Sequence, residues 1–145
     1  AIAAVGGVAQ MCAFRGYVGE VDPQMSKALG LLRDRMGLHS MRSASPALLD
    51  DYARERARVL AAYPDVGLSA FVDHVDHAVQ TVGVDHVGLS ADFDGGGGVQ
   101  GWDSAAETFN VTRELLARGY AEADLAKIWG GNIVRVMRAA KAAAR

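Results

Sequence analysis

The chain has 145 residues, half of them hydrophobic, and its 15 basic and 17 acidic side chains leave a net charge of −2. That is the size of one ordinary domain with enough apolar material for a core. It has no basic patch of the kind nucleic acid requires and no apolar run near the ~20 residues that span a bilayer.

The first residues, AIAAVGG, include neither an initiator Met nor the basic n-region of a signal peptide. The expectation is a segment begun in mid-protein and, with no targeting stretch visible, a cytoplasmic one. Val5 to Phe14, VGGVAQMCAF, reads as a strand covered on both faces, as in a parallel sheet. Cys12, the single cysteine, excludes an internal disulfide, fits a reducing compartment, and reads as a small buried hydrophobe on that strand. Arg15 to Pro23 is polar and turn-rich, and Met25 to Met36 reads as a helix. Ser45-Pro46 is a serine N-cap with proline in the first helical position, opening a helix to about Ala62 that stops near Pro64. Ser69 can cap the next helix, where Phe71, Val72, Val75, Val79 and Val82 share one face and Gly83 ends the run. His86 to Ala91 is a second strand. Ser104 to Glu107 has the capping-box pattern before a helix through Arg118, closed by Gly119. Two further helical pieces fill Glu122 to Ala143 around Gly130-Gly131, and the Ala-rich tail reads as the last helix fraying.

Strands alternating with helices predict an α/β fold of parallel β/α units. Two strands make neither a closed barrel nor an open sheet, so the expectation is a segment of a larger α/β fold.

Chemistry concentrates in DHVGLSADFDGGGG, residues 85–98, where a strand ends in two carboxylates and four glycines. In α/β barrels the C-terminal strand ends carry the catalytic groups. Asp92 and Asp94, two residues apart, point to one side of an extended backbone unless the strand has already broken. Such carboxylates attract a divalent cation or serve as base and acid in hydrolysis. Glycines admit a substrate or metal close to the main chain. The same residues also end strands simply because Asp and Gly favour turns, and composition leaves both readings open. A calcium loop is disfavoured, since Asp92, Asp94 and Asp103 stand at positions 1, 3 and 12 but Gly96 takes position 5 and a strand precedes. A phosphate cradle is disfavoured because no Lys-Ser/Thr follows the glycines.

Four blocks resemble the C-terminal part of the membrane (renal-type) dipeptidases, the M19 metallopeptidases, especially bacterial members. They are AVGGVAQMCAF (residues 4–14), FVDHVDHAVQTVGVDHVGLSADFDG (71–95), ETFNVTRELLARGY (107–120) and IWGGNIVRVMR (128–138), in the family's order. The resemblance implies a (β/α)8 TIM-like barrel of the amidohydrolase type with two zinc ions, of which this chain supplies strands seven and eight with their helices. The family's other metal ligands, a His-x-Asp pair, a bridging Glu and two His, and its substrate-binding Arg would lie upstream of Ala1. The strand-eight aspartate maps onto Asp92, which the resemblance places against the metal-bound water, taking its proton as hydroxide attacks a dipeptide and returning one to the leaving amine. Asp94 either positions Asp92 or shapes the loop, the latter preferred; Gly95 to Gly98 would leave room for substrate. Arg15 and Tyr17, just past strand seven, face the same mouth by topology, as substrate contacts or as a solvated loop.

Asp73-His74-Val75-Asp76-His77 looks like a metal cluster, but zinc needs three or four converging ligands and this helix precedes strand eight, on the outside of a barrel. His86 at the strand start reads as structural, His39 as part of a polar connector, and Trp102, Trp129 and Asn132 as packing and anchoring residues. The leading expectation is a zinc dipeptidase portion, inactive alone, that takes dipeptides and needs the missing N-terminal part of the barrel, with a homodimer implied by kinship. Competing readings are a non-catalytic remnant or interaction half of a split barrel, and an amidohydrolase-type enzyme acting on another amide or a lactone.

Overall fold

The computed structural model describes residues 1–63 and 66–144, with Asp94 described through its backbone alone. Two compact units emerge, Ala1–Gly19 with Val66–Arg145, and Glu20–Asp65.

The larger unit is built on two parallel strands, β1 (Ala9–Cys12) and β2 (Val87–Ser90), in the register Ala9↔Val87 to Cys12↔Ser90. The α/β expectation holds, and both strands are shorter than the apolar runs suggested. A 3₁₀ turn at Ala3–Val5 closes on Gly6, whose φ of 73° breaks extension before β1. Beyond β1 the Phe14 amide bonds back to the Cys12 carbonyl (2.9 Å), turning the chain into a one-turn helix, α1 (Arg15–Val18), where the sequence suggested only a polar turn. His86 belongs to a 3₁₀ turn, so β2 begins one residue later.

Helix α4 (Leu68–Val82) lays Phe71, Val72 and Val75 into the core. Val79 and Val82 flank them, and Gly83 ends the helix at φ 86°. Fully burying such a side chain stabilises by about 1.5–3 kcal/mol. The cap differs from expectation. The Leu68 amide donates to the Gln100 carbonyl (2.8 Å), so the helix starts after Gly67 and Ser69 sits inside its first turn. Ser104 likewise makes no side-chain cap; a 3₁₀ turn, Ala105–Glu107, precedes α5 (Thr108–Ala117). Glu107 accepts instead from the Asp103 amide (2.7 Å), half of a capping box displaced by one residue. Helices α6 (Glu122–Ala126) and α7 (Asn132–Ala143) flank a kinked turn, Lys127–Gly131, and α7 ends at Ala143. Val87, Val99, Trp102, Val111, Leu115 and Leu125 complete the core.

The N-terminal end of the sheet is fastened by polar side chains. Asn132 Nδ2 donates to the Val84 and Val87 carbonyls (2.7 and 2.8 Å), His86 Nδ1 to the Gly7 carbonyl (2.7 Å), and Arg135 to those of Gly6 and Asp85. Asn132 and His86 therefore hold the structural posts their positions suggested.

The smaller unit is a helical pair. Helix α2 (Pro23–Arg35) is capped by Asp22, which accepts from the Gln24 amide (2.7 Å). Helix α3 (Pro46–Leu60) is capped by Ser45, which accepts from the Leu48 amide (3.2 Å), as its sequence announced. Leu32, Leu38 and Tyr52 form their shared core. Helix α3 ends at Leu60, short of Ala62, and Pro64 lies outside the described residues.

Candidate active site

Parallel pairing brings the C-terminal ends of β1 and β2 to one side, and the loops leaving them interlock. The Ala13 amide donates to the Ser90 carbonyl (2.8 Å), and the Gly98 amide donates to the Ala13 carbonyl (2.6 Å). Phe14 and Gly98 form a parallel bridge. Segment 98–100 thus runs beside the end of β1, then bonds to Val66 and Leu68 through Gln100.

Between the end of β2 and that bridge sits Asp92, with φ 55° and ψ 36°. Among the described residues it is the one non-glycine with positive φ. Asp tolerates this left-handed conformation better than most residues, but it remains uncommon. The break answers the question of side-chain direction: extended-strand alternation no longer applies at Asp92. Its carbonyl is gripped twice, by the Gly95 amide (3.0 Å) and the Gly97 amide (2.7 Å) around the 3₁₀ turn Phe93–Gly95. The Asp92 side chain is exposed, and its carboxylate lies over Gly95, where a Cβ would collide with it.

The glycines serve the chain itself more than an incoming molecule. Gly97 is buried, and a Cβ there would strike the Ala91 and Asp92 carbonyls; at Gly98, also buried and at φ 107°, it would strike Asp103. The expectation that residues 95–98 stand open is corrected at these two positions.

Arg15 is turned inward, 8% exposed. Its Nη1 donates to the Gly98 carbonyl and its Nη2 to Asp103 Oδ1, both at 2.8 Å. Tyr17, by contrast, is 74% exposed, with its ring 4.8 Å from that of Phe14. With Gln10, Met11, Cys12, Val18, Phe71 and His74 it lines a cavity of about 240 Å³. Cys12 on that wall is half-buried, not fully covered. Of the residues singled out from sequence, the structure brings Asp92 and Gly95 together and ties Arg15 to the same loop, while Tyr17 borders the cavity. Sequence reasoning missed the Arg15–Asp103 pair and the aromatic floor, where Trp102 meets Phe93, Phe71 and Trp129 at centroid separations of 5.5 to 5.9 Å. Trp102 beside Asp103 was the available signal for the floor; no spacing rule links residue 15 to residue 103.

Among the described residues no three His, Cys, Asp or Glu side chains converge to hold a metal ion. His74 Nε2 donates instead to the Val18 carbonyl (3.0 Å). Asp73 and Asp76 are bound by Arg118, which also reaches Glu114 and Ser69. Burial opposes the Arg118 charge, but its bonds to Asp76, Asp73 and Glu114 outweigh this and hold its pKa above the usual range. Burial, then the bond to Asp76, raises the Tyr120 hydroxyl in the same way. No helix among the described residues is long and apolar enough to cross a membrane.

Residues 1–145 match the family described as membrane dipeptidase (peptidase family M19). The chain is similar to Dipeptidase tcpJ of Claviceps purpurea, with 43% identity over 68 residues, which is 46% of this chain and 16% of that protein. It is similar to human Dipeptidase 3, with 32% identity over 72 residues, 49% of this chain and 15% of that protein. The crystal structure of the probable dipeptidase PvdM from Pseudomonas aeruginosa superposes with a TM-score of 0.63 at 37% identity, covering 92% of this chain and 37% of that one. The matched region therefore spans well under two thirds of each relative's length.

Proposed function

Because the chain belongs to the membrane dipeptidase family, peptidase family M19, we propose that it is part of an enzyme hydrolysing the peptide bond of dipeptides. In this reading β1 and β2 are the seventh and eighth strands of a (β/α)8 barrel of the amidohydrolase type. Their joined C-terminal ends form part of the catalytic mouth. The observation that supports it most is Asp92: an exposed carboxylate two residues past β2, its left-handed backbone held by two hydrogen bonds that the Gly95 and Gly97 amides donate to its carbonyl. An uncommon backbone conformation kept at a strand end is the kind of feature that marks functional residues.

Asp92 takes a proton from the attacking water and delivers one to the departing amine, a role worth about 10²–10⁴ in rate. Gly95 beneath the carboxylate and Tyr17 at the rim are the proposed substrate contacts. Zinc in such an enzyme would activate the water. The described residues do not fit a zinc pair by themselves, so its ligands would come from polypeptide outside these 145 residues. Dipeptide hydrolysis by the naturally encoded protein should fall at least 100-fold in Asp92→Asn with the fold intact by circular dichroism. The 145-residue chain alone should be inactive with or without zinc. Wild-type turnover in Asp92→Asn would refute the assignment.

A further inference from the structure

We infer that Arg15, held by Asp103, is a positioning residue for Asp92, acting through the glycine loop; this rests on the catalytic reading of Asp92 above. The connection is short, made of hydrogen bonds at Gly98 and Gly97 joined by the peptide between them. Arg15 Nη1 fixes the Gly98 carbonyl. The Gly98 amide is fixed by the Ala13 carbonyl, so the 98 peptide is held from both sides. The neighbouring Gly97 amide then donates to the Asp92 carbonyl at 2.7 Å. Buried guanidinium is costly unless its donors are satisfied and its charge is paired, and here Asp103 supplies the pairing at 2.8 Å. Asp103 is itself anchored, because its amide donates to Glu107 Oε2. A planar fork with donors at fixed angles suits this double attachment, which lysine cannot reproduce. Phe93, on the other side of Asp92, packs edge-on against Trp102, the residue before Asp103. The left-handed turn is therefore held by the Phe93–Trp102 ring contact and, through Gly98, by Arg15.

A carboxylate that must meet a reacting atom loses on the order of 100-fold in rate from a displacement of about 1 Å. Arg15→Gln and Asp103→Asn in the naturally encoded protein test the clamp. Three results are expected: faster amide hydrogen exchange in residues 92–98 with residues 71–82 unchanged; kcat for dipeptide hydrolysis lower by about 10- to 100-fold in Arg15→Gln with KM within about threefold; and no further loss when Arg15→Gln is added to Asp92→Asn. Unchanged exchange, a loss confined to KM, or a loss that multiplies with that of Asp92→Asn would overturn the inference. If Arg15→Gln does not fold, Asp103→Asn decides by the same readouts, since it removes the charge that fixes the Arg15 guanidinium at nearly unchanged side-chain volume. An inactive Asp92→Asn beside a fully active Arg15→Gln sinks the clamp alone, whereas a fully active Asp92→Asn sinks the reading beneath it too.

Discussion

At Gly97 the main chain passes so close to the Ala91 and Asp92 carbonyls that a single methyl has nowhere to go. Overpacking of this kind costs about 1–3 kcal/mol, and here the atoms in the way are backbone, which yields least. Gly97→Ala should lower the denaturant midpoint and, by shifting the turn, depress kcat as well. Gly30→Ala in α2, where nothing lies within 4 Å of the added carbon, should instead raise stability by up to about 1 kcal/mol, as helix propensity dictates. Parallel urea titrations of the two variants check the contrast. The glycine run advertised close approach in the sequence, and close approach is what it provides. What approaches could not be read, because Asp103 and the Ala13 carbonyl reach Gly98 only through the fold.

Helices α4 and α5 are joined by Arg118, which holds Asp73, Asp76 and Ser69 across the interface, with Tyr120 donating to Asp76 at 2.7 Å. This accounts for Asp73 and Asp76 in the acidic and histidine-rich run on α4, while His74 is spent on the Val18 carbonyl. Tyr120 lends the pair a pH signature. Burial and then Asp76 raise its pKa above 10.0, so in alkali the unfolded chain loses this proton before the folded one does. Its contribution to stability is complete below about pH 10 and is lost as pH rises beyond it. Tyr120→Phe should cost about 1 kcal/mol at neutral pH and show a shallower decline above pH 10 than wild type, measured by denaturant unfolding across that range. The apolar face of α4 and the Ser45-Pro46 start of α3 were legible because periodicity and capping are local. The starts of α4 and α5 moved because distant groups, the Gln100 carbonyl and the Glu107 carboxylate acting on Asp103, settled which amides were free.

At the scale of the molecule, the chain leaves the larger unit after Gly19 and returns at Val66. Gly19 lies so near the Val66 side chain that an added Cβ would stand 3.2 Å from Cγ2. The 20–65 segment has its own core of Leu32, Leu38 and Tyr52. Loop closure over so small a gap costs little entropy, and short linkers between close ends are tolerated. Replacing residues 20–65 by a few glycines in the naturally encoded protein should preserve hydrogen-exchange protection in α4, β1 and β2; its collapse would show that the helical pair is needed to hold them. A chain that leaves a unit and re-enters it at adjoining residues can lengthen, trade or shorten the intervening stretch without re-threading β1, β2 and α4.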